Sequence, residues 1–184
     1  MSERVQVRRL EGADLDAQLD DLAEVLLDCV AGGASVSYLE PFDRAQARHA
    51  YEGFAADAKR GERVVLAAFA GDRLVGTVQV VLALPPNQPH RAEIAKLLVH
   101  RDARRRGIAE RLMEAAEAAA VAAGRTLLVL DTVTGDPAER LYARLGWTRV
   151  GEIPDYALYP DGRPCSTTFF WKRLPAPGER PAAL

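Results

Sequence analysis

The stretch Val99-His-Arg-Asp-Ala-Arg104-Arg-Arg-Gly107-Ile-Ala109 joins two segments of different periodicity. Before it, Ala92–Val99 reads as a strand. After it, Ile108–Ala123 reads as a helix with an apolar stripe of Ile108, Leu112, Ala115, Ala119 and Ala122. Glu110, Glu114 and Glu117 fall on its outer side, and Gly124 ends it. A strand turning directly into a helix leaves backbone N–H groups unpaired at the positive end of the helix dipole, which is an anion site. Gly107 and Ala109 let backbone approach a ligand closely, and Arg101, Arg104, Arg105 and Arg106 add charge suited to phosphate. The implied ligand is a polyphosphate. A dinucleotide fingerprint would need two more glycines, and a nucleoside-triphosphate loop would need Gly-Lys-Ser/Thr; neither is present. Four arginines alone could be a solvated run. The glycine, the alanine and the strand–turn–helix setting favour the anion site.

Working outward, Arg63–Ala70 and Leu74–Leu84 alternate as two strands around a tight turn at Gly71-Asp72. Upstream, Arg4–Arg8 is a short strand. Asp14 then caps a helix carrying Leu15, Leu19, Leu22, Leu26 and Val30 at three- and four-residue spacing, stopped by Gly32-Gly33. Its acidic residues Asp16, Asp20, Asp21, Glu24 and Asp28 read as a solvated face. A second helix runs from about Asp43 to Lys59 with Phe42, Ala50 and Phe54 inward. The connection Gly32–Phe42 is too polar and turn-rich for core.

Downstream, Thr126–Thr132 is a strand, apolar until Asp131, as expected where both faces are covered. Asp136, Pro137 and Glu139 mark a capped helix start, Leu141, Tyr142 and Leu145 its apolar face, and Gly146 its end. Two last strands, Trp147–Ile153 and Thr167–Leu174, flank a loop with Pro160-Asp161-Gly162, and the tail from Pro175 reads as disordered. The order is strand, two helices, three strands, helix, strand, helix, two strands: a single mixed α/β domain over residues 1–174.

Composition agrees. A chain of 184 residues, 48% hydrophobic and 27% charged, is one soluble globular domain. Such a chain buries roughly 70% of its unfolded surface. With 24 basic and 26 acidic residues it has no general attraction for nucleic acid or anionic membrane. The start lacks a signal-peptide core, no apolar run reaches a bilayer span, and Cys29 and Cys165 have no metal-ligand spacing. These features predict a cytoplasmic, metal-independent protein. Only Lys59, Lys96 and Lys172 are lysines among the basic residues, which reads as a coding bias.

With these segments in place the chain resembles the GNAT N-acetyltransferase superfamily. Leu97-x-Val99 followed by Arg104-x-x-Gly107-x-Ala109 is similar to its acetyl-CoA signature, R/Q-x-x-G-x-G/A. Ala138-x-x-x-Tyr142-x-x-x-Gly146-Trp147 resembles its second conserved segment, with Gly135 where the family often has Asn. Three stretches, Gly33–Leu39, Leu130-Asp-Thr132 and Pro160-Asp-Gly162, look closest to the tabtoxin-resistance acetyltransferases. The resemblance covers residues 4 to 174. It implies a mostly antiparallel central sheet with splayed central strands, flanked by helices on both faces.

It also implies acetyl-CoA as co-substrate, with the pyrophosphate on Arg104, Arg105, Arg106, Gly107, Ile108 and Ala109 and the pantetheine arm beside Leu97, Leu98 and Val99. A backbone N–H near Leu98 or Val99 would stabilise charge developing on the thioester oxygen. Tyr142 would be the acid for the leaving thiolate, although its periodicity also fits an ordinary core tyrosine. Asp131 and Glu93 interrupt apolar strands beside the gap and would be the bases; burial raises a carboxyl pKa and suits it to accept a proton. Otherwise Glu93 pairs with Lys96 or Arg91 and Asp131 caps a strand end. Tyr38, Glu40, Tyr156 and Tyr159 would close over a cationic acceptor, or simply anchor loops. The implied reaction is acetyl transfer to a primary amine of a small metabolite, toxin or antibiotic-like compound. The alternatives are a protein lysine or N-terminus, and an acyl-CoA sensor without turnover. A homodimer is compatible with the resemblance; a metal, membrane or nucleic-acid partner is not implied.

Overall fold

The computed structural model describes residues 5–175. Seven strands form one sheet in the order β1-β2-β3-β4-β5-β7-β6. They are β1 Val5–Leu10, β2 Arg63–Ala70, β3 Arg73–Val81, β4 Arg91–Val99, β5 Leu127–Val133, β6 Thr148–Leu158 and β7 Pro164–Arg173. Every neighbouring pair is antiparallel except β4 and β5. Among the described residues there are five α-helices, α1 Gly12–Ala17, α2 Leu19–Ala31, α3 Arg44–Lys59, α4 Ile108–Ala122 and α5 Pro137–Arg144, and a short 3-10 turn at Arg101–Ala103.

Alternation along the strands builds two cores. On one face Leu66, Val78, Val80, Ile94, Leu128 and Leu130 meet Ile108, Leu112, Met113 and Ala116 of α4. On the other, Val65, Ala67 and Phe69 meet Leu22, Leu26 and Val30 of α2 with Tyr51 of α3. This is the mixed α/β sheet, helices on both faces, that the sequence predicts.

Several local expectations change. The first helix breaks at Gln18, so α1 and α2 are separate, and Asp14 lies in the first turn behind Glu11, which is the N-cap. The face of α3 that packs inward is Ala47, Tyr51 and Ala55, with Phe42, Ala50 and Phe54 only partly buried around it. In α4 the buried set includes Met113, Ala116 and Ala120, while Ala122 is exposed. Glu117 is not outside: its carboxylate accepts from Trp147 Nε1 at 2.9 Å and Lys172 Nζ at 2.7 Å. Asp136 caps α5 through the Ala138 N–H, but Glu139 does not close a capping box and its Oε1 is buried without a partner. The Gly32–Phe42 connection is not excluded from core, because Ala34, Val36, Tyr38 and Phe42 pack partly against the α2–α3 cluster. Beyond Pro175 itself, the tail lies outside the described residues.

Candidate active site

The two central strands pair only briefly. Arg91, Ala92 and Glu93 register with Leu127, Leu128 and Val129, and beyond that point β4 and β5 share no pairing. Each continues on its outer side, β4 with β3 as far as Val99 and β5 with β7 as far as Val133. The result is a wedge-shaped gap. His100 N–H bonds to Val75 O at 2.9 Å, so it points at β3. Backbone groups alternate sides along a strand, so the N–H of Val99 points away from β3, into the gap.

At one end of the gap lies the arginine turn. Its path is a short 3-10 turn at Arg101–Ala103, an extended Arg104, left-handed Arg105 and Gly107 at φ +61° and +72°, then α4. Gly107 is the N-cap and carries no side chain to occupy the first N–H groups of the helix; a Cβ there would meet nothing within 4 Å. Space for a ligand is therefore open directly above the free donors. Arg105 and Arg106 are exposed and form no ion pair among the described residues, whereas Arg104 folds back, its Nε donating to Val99 O at 3.0 Å. Ile108 is buried beneath the turn and Ala109 lies half-buried beside it.

A buried carboxylate fixes this turn from behind. Asp28 of α2 accepts from the Arg101 backbone N–H and from Arg101 Nε, each at 2.8 Å, and lies 3.6 Å from His100 Nε2. Burial alone would raise the Asp28 carboxyl, but the two Arg101 bonds and the charges of His100 and Arg101 outweigh it and hold it below the usual range. Asp28 thus leaves the solvated acidic face expected of α2, while Asp16, Asp20 and Glu24 pair with Lys59, Arg48 and Arg44 of α3. Cys29, next along α2, is a buried free thiol 3.6 Å from Val99 O, and burial pushes its pKa up. No sequence pattern linked α2 to the turn, because its partners are more than 70 residues away.

At the other end lie the carboxylates. Asp131, opposite Phe169 in the β5–β7 register, stays open to solvent in the wedge, yet partial burial still raises its carboxyl; Lys96 partly offsets this. Glu93 is half-buried at the vertex of the splay. Neither expected salt bridge forms: Arg91 donates to Gln88 Oε1, and Lys96 donates to Val36 O and Ser37 Oγ. Tyr142 of α5 is 5% exposed, packed against Phe170 and Trp147 with ring centroids 5.6 and 6.1 Å away. Burial, with the negative charges of Asp136 and Asp131, pushes its pKa well up, so the phenol keeps its proton.

The remaining candidates border this end. Tyr38 is half-buried, stacked near Phe42 at 4.5 Å, and Glu40 is exposed with its N–H on Pro160 O. Leu39, Glu40, Pro160, Asp161 and Gly162 line a shallow cavity of about 360 Å³ between the two loops. Tyr156 is exposed on a bulged β6 and meets Phe169 edge-on at 5.3 Å, which places it beside Asp131. Tyr159 lies under the Arg163 guanidinium and belongs to the tip of the β6–β7 loop. Sequence reasoning named Lys96 only as a possible partner of Glu93 and did not single out Phe169, which pairs with Asp131 across β5 and β7.

Among the described residues no cluster of His, Cys, Asp or Glu could hold a metal, and no helix is long and apolar enough to cross a membrane. Solved structures share the whole architecture. A candidate acetyltransferase of Acinetobacter baylyi superposes with a TM-score of 0.81 at 18% identity, covering 100% of both chains. An N-acetyltransferase of Staphylococcus aureus gives 0.78 at 17% identity, covering 94% of this chain and 99% of its own. The protein yncA of Salmonella typhimurium, solved with its cofactor acetyl-CoA, gives 0.77 at 19% identity over 97% and 99%. Residues 27–147, well over half the chain, match the sequence model of one family, and the protein accordingly belongs to the acetyltransferase (GNAT) family.

Proposed function

We propose that this protein transfers the acetyl group of acetyl-CoA to a primary amine of a small metabolite, toxin or antibiotic-like compound, as the tabtoxin-resistance enzymes it resembles would. The observation that carries the proposal is the wedge between β4 and β5, with free helix N–H groups at one end and Asp131 with Glu93 at the other. Acetyl-CoA supplies the activated thioester. The N–H groups from Arg105 to Ala109 hold its pyrophosphate, Arg105 and Arg106 add charge, and Leu97, Leu98 and Val99 guide the pantetheine arm.

The Val99 N–H, aimed into the gap, donates to the thioester oxygen as negative charge develops there. Asp131, its carboxyl raised by its surroundings, takes the proton from the incoming ammonium, and Glu93 at the vertex helps to orient it. Tyr142, protonated at neutral pH as any phenol is, gives its proton to the departing thiolate sulfur as the C–S bond breaks and regains one from solvent. Tyr38, Glu40, Tyr156 and Tyr159 border the acceptor entrance. The two loops joined by the Glu40 N–H to Pro160 O bond would cover that entrance, and such a cover favours a small acceptor over a protein segment.

The test is release of CoA thiol from acetyl-CoA against a panel of small primary amines and short peptides, with Tyr142→Phe measured beside the wild type. Amine-dependent release, lost in the variant while CoA binding persists, is the expected outcome. Turnover confined to peptides would move the assignment to a protein acceptor. Tight acetyl-CoA binding without any turnover would mark a sensor.

A further inference from the structure

Lys96 occupies an expensive place. In the β3–β4 ladder Thr77 pairs with Leu98 and Gln79 with Ala95, so Lys96 and Leu97 together face Val78 in a bulge. Lys96 takes φ +52° there, in the left-handed region that a residue with a Cβ rarely adopts. Its side chain is tightly engaged. The ammonium donates to Val36 O and Ser37 Oγ, both at 2.9 Å, and stands 5.5 Å from the Tyr38 ring centroid. Ser37 is itself left-handed at φ +82°. Two strained backbone positions on separate elements are thus joined by one side chain, and such strain persists where surrounding contacts hold it.

The place of this link matters. Lys96 directly precedes Leu97, Leu98 and Val99 on the cofactor strand, and Ser37 directly precedes Tyr38 on the loop beside the acceptor entrance. Burial, with the nearby Arg63, lowers the Lys96 pKa, while Asp131 and Glu93 partly offset this. The titratable and charged groups near it are thus Arg63 on β2, Asp131 on β5, Glu93 on its own strand and Tyr38 on the loop. Lysine suits this post: it is a compact charge with three donors, two already used by the loop.

The geometry points to Lys96 as a positioning residue that latches the 34–42 loop to β4, holding Tyr38 beside the wedge. The inference rests on the acetyl-transfer reading for its functional meaning, but the latch can be measured without an acceptor. Replacement by Met keeps the stem and removes the ammonium; replacement by Arg keeps the charge.

The experiment compares wild type, Lys96→Met and Lys96→Arg in one acceptor-free readout and one kinetic one. Hydrogen exchange at the amides of residues 35–40 should accelerate in Lys96→Met and return towards the wild-type rate in Lys96→Arg. With the first amine of the panel that is turned over, Lys96→Met should raise the amine KM by about tenfold while acetyl-CoA Kd stays within about twofold. Unchanged exchange, or an unchanged amine KM, in Lys96→Met overturns the inference. If exchange accelerates but no amine is acetylated, the functional reading fails and the latch stands.

Discussion

The two ends of the wedge hold their carboxylates in opposite ways. Beside the arginine turn Asp28 is buried, accepts two hydrogen bonds from Arg101 and lies 3.6 Å from His100, and its acidity is strengthened. On β5 Asp131 is exposed, and partial burial, only partly offset by Lys96, weakens its acidity. The first arrangement stabilises the fold and shapes a rigid turn. The second leaves a group ready to exchange a proton, which active sites need and folded cores avoid. The contrast extends to the backbone: the turn is set by left-handed Arg105 and Gly107 at a helix start, whereas the loops around Glu40 and Pro160 are held by ties between elements, Lys96 to Val36 and Ser37, Ser35 Oγ to Leu158 O and the Glu40 N–H to Pro160 O.

Substitutions at each end test that contrast. The largest effect belongs to Tyr142→Phe, which should lower kcat by roughly 10²-fold with little change in acetyl-CoA binding, read by thiol release and calorimetry. Asp28→Ala should cost about 1.5–3 kcal/mol of stability, as for a lost hydrogen bond to a charged group, and weaken acetyl-CoA binding through the loosened turn; urea unfolding checks it. A fully stable variant would mean that the turn holds itself. Gly107→Ala should cost about 1 kcal/mol or somewhat more from its left-handed φ of +72° and also raise acetyl-CoA Kd, because the new Cβ enters the ligand's space.

The smallest effects concern pH. Because the folded pKa of Asp28 is depressed, its contribution is present above the unfolded value, about 3.9, and is lost as pH falls through the folded value. Wild type should therefore lose stability below about pH 4 more steeply than Asp28→Ala in acid melts. Asp131 has the opposite sign: a raised folded pKa weakens the fold as pH rises through the carboxylate range. Asp131→Asn should be at least as stable as wild type at neutral pH while losing most of its turnover. A clear loss of stability would show that Asp131 belongs to the scaffold.

The features legible beforehand were local ones. Gly107 after a strand, the Asp136-Pro137 start of α5 and the Gly71-Asp72 hairpin each declare themselves within a few residues, because capping, left-handed turns and hairpins are short-range chemistry. The break at Gln18 escaped because Leu15, Leu19 and Leu22 keep helical spacing across it. Lys96 and Asp28 escaped for a different reason. Their partners lie 60 and 73 residues away, and nothing in a heptad or an alternation records that distance.

The sequence by itself therefore determined the element order, apart from the break at Gln18, the strand-to-helix turn at Gly107 and the resemblance that led to the family. Hydrophobic period and backbone conformation are properties of neighbouring residues. Tertiary structure alone decided which acid would be buried and paired, which would stay exposed, and that a bulge at Lys96 would bring its ammonium to Val36 and Ser37. A carboxylate's acidity and a lysine's partner depend on what the fold brings within a few ångströms, and that proximity exists only once the sheet has closed.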